Sequence, residues 1–120
     1  MTALWKERFK MDKKAEIKLQ DYRTSRSKVF TGRDRGIEVR EKSKIDELEK
    51  VYDEITIIIP EDIGSINPSF LEEFLLTVVT KLKADKFFKK FRFQNTGRYK
   101  IDEDLEEAVD RILRTETALA

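Results

Sequence analysis

The run Ile55-Thr56-Ile57-Ile58-Ile59 constrains the fold of this chain more than any other feature of the sequence. Every side chain in the run is β-branched, which restricts rotation about χ1 and favours extended backbone. A continuous branched run is typical of a strand that helices bury on both faces. Pro60 follows directly and ends the strand, because proline has no N–H for the ladder. We therefore expect a sheet that is covered by helices.

The segment that follows this strand predicts a long amphipathic helix. Asn67 is a good N-cap, and Pro68 suits the first helical position. An apolar stripe with helical spacing then runs through Phe70, Leu71, Phe74, Leu75, Val78, Val79 and Leu82. Lys81 and Lys83 favour a C-terminus because cations complement that end of the helix dipole. The pattern predicts a helix that ends near Lys83.

Weaker patterns on either side complete an alternation of strands and helices. They predict strands at 15–20, 28–30 and 90–95, a turn holding Phe87 and Phe88, and helices at 33–42, 45–51 and 102–114, with Thr31 capping the first of these. The order predicts an α/β fold: a single small domain in which a mixed β-sheet is covered by helices. We expect a polar N-terminal arm (1–14), the domain (15–115) and a frayed C-terminus (116–120).

The absence of two residue types restricts the chemistry available to this chain. It contains no cysteine and no histidine. This excludes Cys nucleophiles, Ser-His-Asp triads and zinc fingers, as well as haem ligation by either residue. Acidic residues cluster at 102–107, but an acidic first turn also complements the helix dipole. We therefore expect a protein that is not an enzyme, with no metal and no cofactor.

Charge is divided along the chain although the total nearly cancels. The formal net charge is +1, but residues 1–36 and 81–100 are mainly basic, whereas residues 37–80 and 101–120 are mainly acidic. Charge distributed in this way provides basic and acidic surfaces on one molecule. The distribution therefore carries more information about partners than the total does.

Five basic residues are candidates for an anion or nucleic-acid site. Arg33 and Arg35 lie near a predicted helix start, while Lys89, Arg92 and Arg98 belong to a segment in which basic residues interleave with phenylalanines. Basic and aromatic residues together can bind single-stranded nucleic acid by charge and stacking. The alternative is structural: buried phenylalanines with outward lysines in the second segment, and a solvated helix face in the first.

The chain has no recognisable targeting or membrane segment. The longest apolar run, Ile57-Ile58-Ile59, is far shorter than the roughly 20 residues that a membrane helix needs. The N-terminus lacks the apolar core of a signal peptide, because Lys6, Glu7 and Arg8 interrupt it. We expect a cytoplasmic protein with no membrane partner.

Four segments of the chain together form a recognisable pattern: Phe30-Thr31-Gly32-Arg33-Asp34-Arg35-Gly36, Tyr52-Asp53-Glu54, Ile57-Ile58-Ile59 and Ser65-Ile66-Asn67-Pro68-Ser69-Phe70. They resemble the STAS fold (sulfate transporter and anti-sigma factor antagonist), and in particular its STAS-like branch of unknown function. The resemblance covers residues 15–115. It implies an α/β domain in which a hydrophobic strand leads through a loop into a helix.

The resemblance also implies a regulatory mechanism. In anti-sigma factor antagonists the loop-to-helix joint reads Asp-Ser-Ser/Thr-Gly, and an ATP-dependent kinase partner phosphorylates a serine in it. This chain keeps Ser69, with Asn67, Pro68 and Phe70 at the other positions of the joint. A phosphate at a helix start meets free backbone N–H groups and the positive end of the dipole. Ser69 is therefore the candidate switch residue, and Ser65, which lies in the preceding loop, is the second candidate.

The resemblance thus implies a non-catalytic protein-interaction module in a partner-switching system, whose partner would be an ATP-binding kinase-like protein. The partner-binding candidates are Ile63, Gly64, Ile66 and Asn67. The alternative is a nucleic-acid-associated accessory protein that uses the basic segments 1–36 and 81–100.

Overall fold

The computed structural model describes residues 13–24 and 26–119, and side chains as far as Thr115. The strands are β1 (Lys14–Lys18), β2 (Val29–Phe30), β3 (Glu54–Ile59), β4 (Ser65–Ile66) and β5 (Phe91–Asn95). The α-helices are α1 (Arg33–Ser43), α2 (Ile45–Val51), α3 (Pro68–Lys90) and α4 (Asp102–Leu119), and a 3-10 helix covers Leu19–Tyr22. The predicted α/β class and single domain are confirmed. The predicted arm lies outside the described residues as far as Asp12.

The described strands form two parallel sheets, where the sequence predicted one mixed sheet. The larger sheet has the order β1-β3-β5, with Ala15 opposite Ile55 and Ile55 opposite Phe91. The smaller sheet pairs β2 with β4, with Phe30 opposite Ile66. Parallel neighbours need long crossover connections, and these connections contain the helices.

The larger sheet is covered by helices on one face. Its strands follow one another in space in their chain order, so each connection steps in the same direction. Crossovers of one hand then place their helices on the same face. In β3, Ile55, Ile57 and Ile59 are buried, whereas the residues that alternate with them are partly exposed. The expectation that this run is buried on both faces was therefore wrong.

Helix α3 begins as predicted but ends later. Asn67 caps it and Pro68 occupies its first turn. It does not end near Lys83; the helix bends there, where Lys83 adopts φ 65° and ψ 177°, and continues to Lys90. Phe87, which we expected in a turn, is a fully buried helical residue whose ring stacks on Phe91 with centroids 4.9 Å apart. Burial of this ring favours the extra turns over a loop.

A buried carboxylate holds both halves of the bent helix. Glu49 of α2 is 5% exposed. It accepts a hydrogen bond from Lys81 Nζ at 2.6 Å and another from Lys90 Nζ at 3.0 Å. Burial alone raises the pKa of Glu49, but the hydrogen bonds and charges of the two lysines outweigh it, so the pKa is lowered. Since Lys81 precedes the bend and Lys90 follows it, Glu49 ties the two halves to α2.

Helices α1 and α3 approach each other closely at a glycine. Gly36 is buried, and a Cβ placed on it would collide with the carbonyl oxygen of Phe70 and lie 2.9 Å from Cβ of Glu73. Only a residue without a side chain permits this separation. The start of α1 also differs from the prediction, because Gly32 (φ 93°) occupies the N-cap and Thr31 does not cap the helix.

The last helix extends further than its apolar spacing predicted. Helix α4 runs to Leu119, beyond the predicted end near Arg114. It packs against α3 through Leu105, Ala108, Val109 and Ile112, which are buried. None of the helices among the described residues has the length and apolar character needed to cross a bilayer.

Asp46 at the start of α2 lies in surroundings that disfavour its ionised form. Its Oδ1 is buried and has no hydrogen-bond partner among the described residues. Burial raises the pKa of Asp46, and the charge of Arg40 and a hydrogen bond with Thr77 offset this only in part, so the folded state resists ionisation more than the unfolded chain does. Stability is then lost as the pH rises through the ordinary value of 3.8 towards the raised one.

Replacing Asp46 with asparagine removes this charge. We expect Asp46→Asn to raise the free energy of unfolding by about 1 kcal/mol at pH 7. The gain should disappear below about pH 3, where both states are protonated. Urea unfolding at the two pH values measures it, with Asp53→Asn, an exposed aspartate, as the control. An equal gain at both pH values would contradict the conclusion that ionisation of Asp46 causes the loss of stability.

Candidate functional site

The start of α3 is built around one side-chain amide. Asn67 Oδ1 accepts hydrogen bonds from the backbone N of Ser69 at 2.9 Å and from its Oγ at 2.8 Å. The backbone N of Asn67 donates to the carbonyl oxygen of Phe30 at 2.8 Å. The sequence folds this way locally because asparagine satisfies an N–H that the helix itself cannot. The cap is thereby fixed to the end of β2.

The predicted partner-binding residues divide into two groups. Ile63 and Ile66 are 3% and 1% exposed, and they belong to the core. Gly64 and Asn67 are exposed, as is Ser65 between the two isoleucines. The buried pair therefore anchors the joint, and only Gly64, Ser65 and Asn67 offer a surface. We call these three residues the joint surface.

The two candidate switch serines differ in accessibility. Ser65 is exposed, and its hydroxyl has no hydrogen-bond partner among the described residues. Ser69 is half-buried, and its hydroxyl donates to Asn67. A reagent or enzyme can reach the hydroxyl of Ser65 without breaking a contact, whereas at Ser69 it would disrupt the cap.

Arginines neutralise the two glutamates near the start of α3. Arg33 lies 3.3 Å from Glu73 and 3.6 Å from Glu72, and Arg111 lies 3.1 Å from Glu72. The glutamate charges would oppose an anion at this helix start, and these ion pairs reduce that effect. Arg33 is consequently part of a contact between α1 and α3, which leaves it less available to an external anion.

A tyrosine that the sequence analysis missed connects the joint to α4. The hydroxyl of Tyr99 donates to Oδ2 of Asp104 at 2.6 Å and lies 3.1 Å from the carbonyl oxygen of Ile66. Burial, reinforced by the Asp104 carboxylate, raises the pKa of Tyr99. It remains a neutral hydrogen-bond donor at physiological pH. No pattern in the sequence relates Tyr99 to Ile66, because their contact depends on the tertiary fold.

A cleft opens beside the joint, where β3 and β5 end. Its volume is about 790 Å³, and its rim includes Lys28, Glu61, Gly64 and Arg98. Its two sides touch at Gly97, which leaves no room for a Cβ beside the carbonyl oxygen of Glu61. The cleft joins one residue of the first basic segment, Lys28, to one of the second, Arg98.

The remaining basic candidates are not brought together at one place: Arg33 and Arg35 line a separate hollow of about 610 Å³ at the start of α1, whereas Lys89 and Arg92 line neither that hollow nor the cleft. Arg35 is ion-paired within α1 at 2.8 Å, and Arg92 donates to Glu54 at 2.8 Å. Lys89 is exposed near the end of α3, away from the residues that line the cleft. Of the five candidates, Arg98 alone lines the cleft at the ends of the strands.

The aromatic residues of the second basic segment face mainly inward. Phe87 and Phe91 are 0% and 2% exposed, and Phe93 packs against the core. Phe88 is 39% exposed. Bases stack on exposed rings, so this segment presents mainly its charges to a nucleic acid.

No three acidic side chains in the described part of the chain are grouped in a way that could hold a metal ion. The geometry described above thus consists of a capped helix start, an exposed joint surface and an adjoining cleft. Comparison with family models, curated proteins and solved structures finds no match to this chain.

Proposed function

We propose that this chain is a non-catalytic, STAS-like protein-interaction module that docks a partner protein on the joint surface. The observation that carries the proposal is the combination of exposure and rigidity at Gly64, Ser65 and Asn67. These residues are exposed, yet buried isoleucines and the Asn67 cap hold their backbone in place. A preorganised surface loses less conformational entropy when a partner binds.

The proposed control of docking is phosphorylation within the joint. A phosphoserine carries about −1.5 to −2 charges at pH 7, so it repels acidic groups on a partner and is costly to desolvate against apolar ones. Ser65 is the better acceptor, since its hydroxyl is exposed and makes no contact that must first be broken. At Ser69 the modification would also disrupt the cap, at a cost of about 1 kcal/mol. The STAS resemblance makes the partner an ATP-binding kinase-like protein.

Affinity purification of the full chain from its native cells tests the proposal. We expect a stoichiometric ATP-binding partner to be retained by the unmodified chain and lost on Ser65→Glu. Thr115→Glu, which adds the same charge at an exposed position of α4, should retain the partner. If Ser69→Glu loses the partner but Ser65→Glu does not, the cause is disruption of the Asn67 cap. A lower Tm of Ser69→Glu in thermal unfolding would identify that disruption.

Retention of every protein partner by Ser65→Glu would contradict the proposed docking surface. Co-purification of DNA or RNA that is released by high salt would support the alternative, a nucleic-acid-associated protein. Its basis in the structure is the meeting of Lys28 and Arg98 across the cleft.

A further inference from the structure

The cleft lies where parallel α/β sheets commonly bind ligands. Ligands of such sheets commonly occupy crevices outside the carboxyl ends of the strands. Here the chain leaves β3 towards the smaller sheet, while it leaves β5 towards α4. The segments that follow β3 and β5 line the cleft together with Lys28, and the cleft has room for a small molecule at about 790 Å³.

The ionisable groups on the cleft are unequally paired. Asp62 accepts two hydrogen bonds from the guanidinium of Arg23, at 2.8 and 2.7 Å, and these hydrogen bonds lower its pKa. Its charge is therefore largely compensated. Lys28 and Arg98 line the same cleft, and neither side chain makes a hydrogen bond or close ion pair with a described residue, although the charge of Lys28 also helps to lower the pKa of Asp62. Apart from the Arg23–Asp62 pair, the cleft therefore carries two positive charges, on Lys28 and Arg98, and one negative charge, on Glu61.

Arg98 stands out among the arginines. Most of the described arginines donate to a carboxylate or a carbonyl oxygen, and Arg26 is the other one without such a contact. A guanidinium presents paired N–H donors that match the two oxygens of a carboxylate or phosphate. This unused fork and the Lys28 ammonium group line the same cleft.

We propose that the cleft binds a small molecule bearing a carboxylate or phosphate group, held by Arg98 and Lys28. Glu61, on the same rim, provides an acceptor for a hydroxyl or amino group on the rest of the ligand. The site shares Gly64 with the joint surface but does not depend on partner docking, so either proposal can fail without the other.

Inorganic phosphate and acetate are the probes for this site. Each is titrated into the full-length chain at constant ionic strength, and backbone amide shifts are followed by NMR. We expect saturable shifts at Gly64, Thr96 and Gly97, with dissociation constants of about millimolar order for such minimal ligands. The probe that saturates at the lower concentration identifies the preferred anion.

Variants separate this site from general attraction of anions. Arg98→Gln should weaken binding by about tenfold or more, and Lys28→Gln should weaken it less, because a charge-assisted fork contributes more than a point charge. Arg26→Gln removes an equivalent charge outside the cleft and should leave the titration unchanged. Shifts that do not saturate, or that persist equally in Arg98→Gln and Arg26→Gln, would overturn the proposal.

Discussion

Replacing Gly36 with alanine is expected to destabilise the protein by about 2–3 kcal/mol, or roughly 10 °C in Tm. The added methyl group would collide with the carbonyl oxygen of Phe70, which belongs to the backbone of α3 and cannot rotate away. Relief requires separating α1 from α3 along a buried contact. Alanine favours helix by about 1 kcal/mol over glycine, which offsets part of the cost. Thermal and urea unfolding of the purified variant measure the effect.

Gly64→Ala is the matched control for this prediction. A Cβ at Gly64 would meet only the carbonyl oxygen of Lys28 at 3.5 Å, an ordinary van der Waals distance. Its stability should stay within about 0.5 kcal/mol of the original chain. If Gly36→Ala were as stable as Gly64→Ala, this would contradict the conclusion that α1 and α3 are too close to admit a methyl group at position 36.

Replacing Glu49 with glutamine is expected to cost about 2–3 kcal/mol at pH 7. Removing one member of a fully buried ion pair costs roughly 3–5 kcal/mol, and the partial exposure of both lysines reduces this figure. The amide cannot accept two charge-assisted hydrogen bonds as strongly as the carboxylate does. Because Lys81 and Lys90 lie on either side of the bend, we also expect faster amide hydrogen exchange from Ala84 to Lys90.

The pH dependence gives this prediction a second readout. The pKa of Glu49 is lowered in the folded state, so its contribution is fully present above the ordinary value of 4.5. It is lost as the pH falls through the folded-state value. As the pH falls through this range, the free energy of unfolding of Glu49→Gln should therefore decrease less steeply than that of the original chain. Glu107→Gln, which breaks an exposed ion pair with Arg111, should change stability by about 0.5 kcal/mol or less.

Local patterns predicted those elements whose burial repeats at a regular interval. The branched run became β3, and the apolar stripe after Asn67 became the first part of α3. The cap was also predictable, because asparagine followed by proline satisfies the helix start through local bonds. These features depend on neighbours in the sequence.

The remaining features depend on contacts between distant residues. The bend at Lys83 and the extension to Lys90 follow from burial of Phe87 and from the ion pairs of Glu49. Strand β4 has only two residues and no periodicity, so the sequence showed it as a loop. In the candidate site, the joint was predictable, but the burial of Ile63 and Ile66 and the pairing of Arg33 required the fold.

The parallel pairing of the strands has a consequence for how this chain folds. Val29 pairs with Ser65, and Ile55 with Phe91, so no strand pair among the described residues is a hairpin. Each pairing closes a long loop, and this closure costs chain entropy before contacts within the sheet stabilise the fold. Helices can form locally, whereas the sheet must wait until they bring its strands together. We therefore expect strand pairing to be completed late in folding, after the helices have begun to pack.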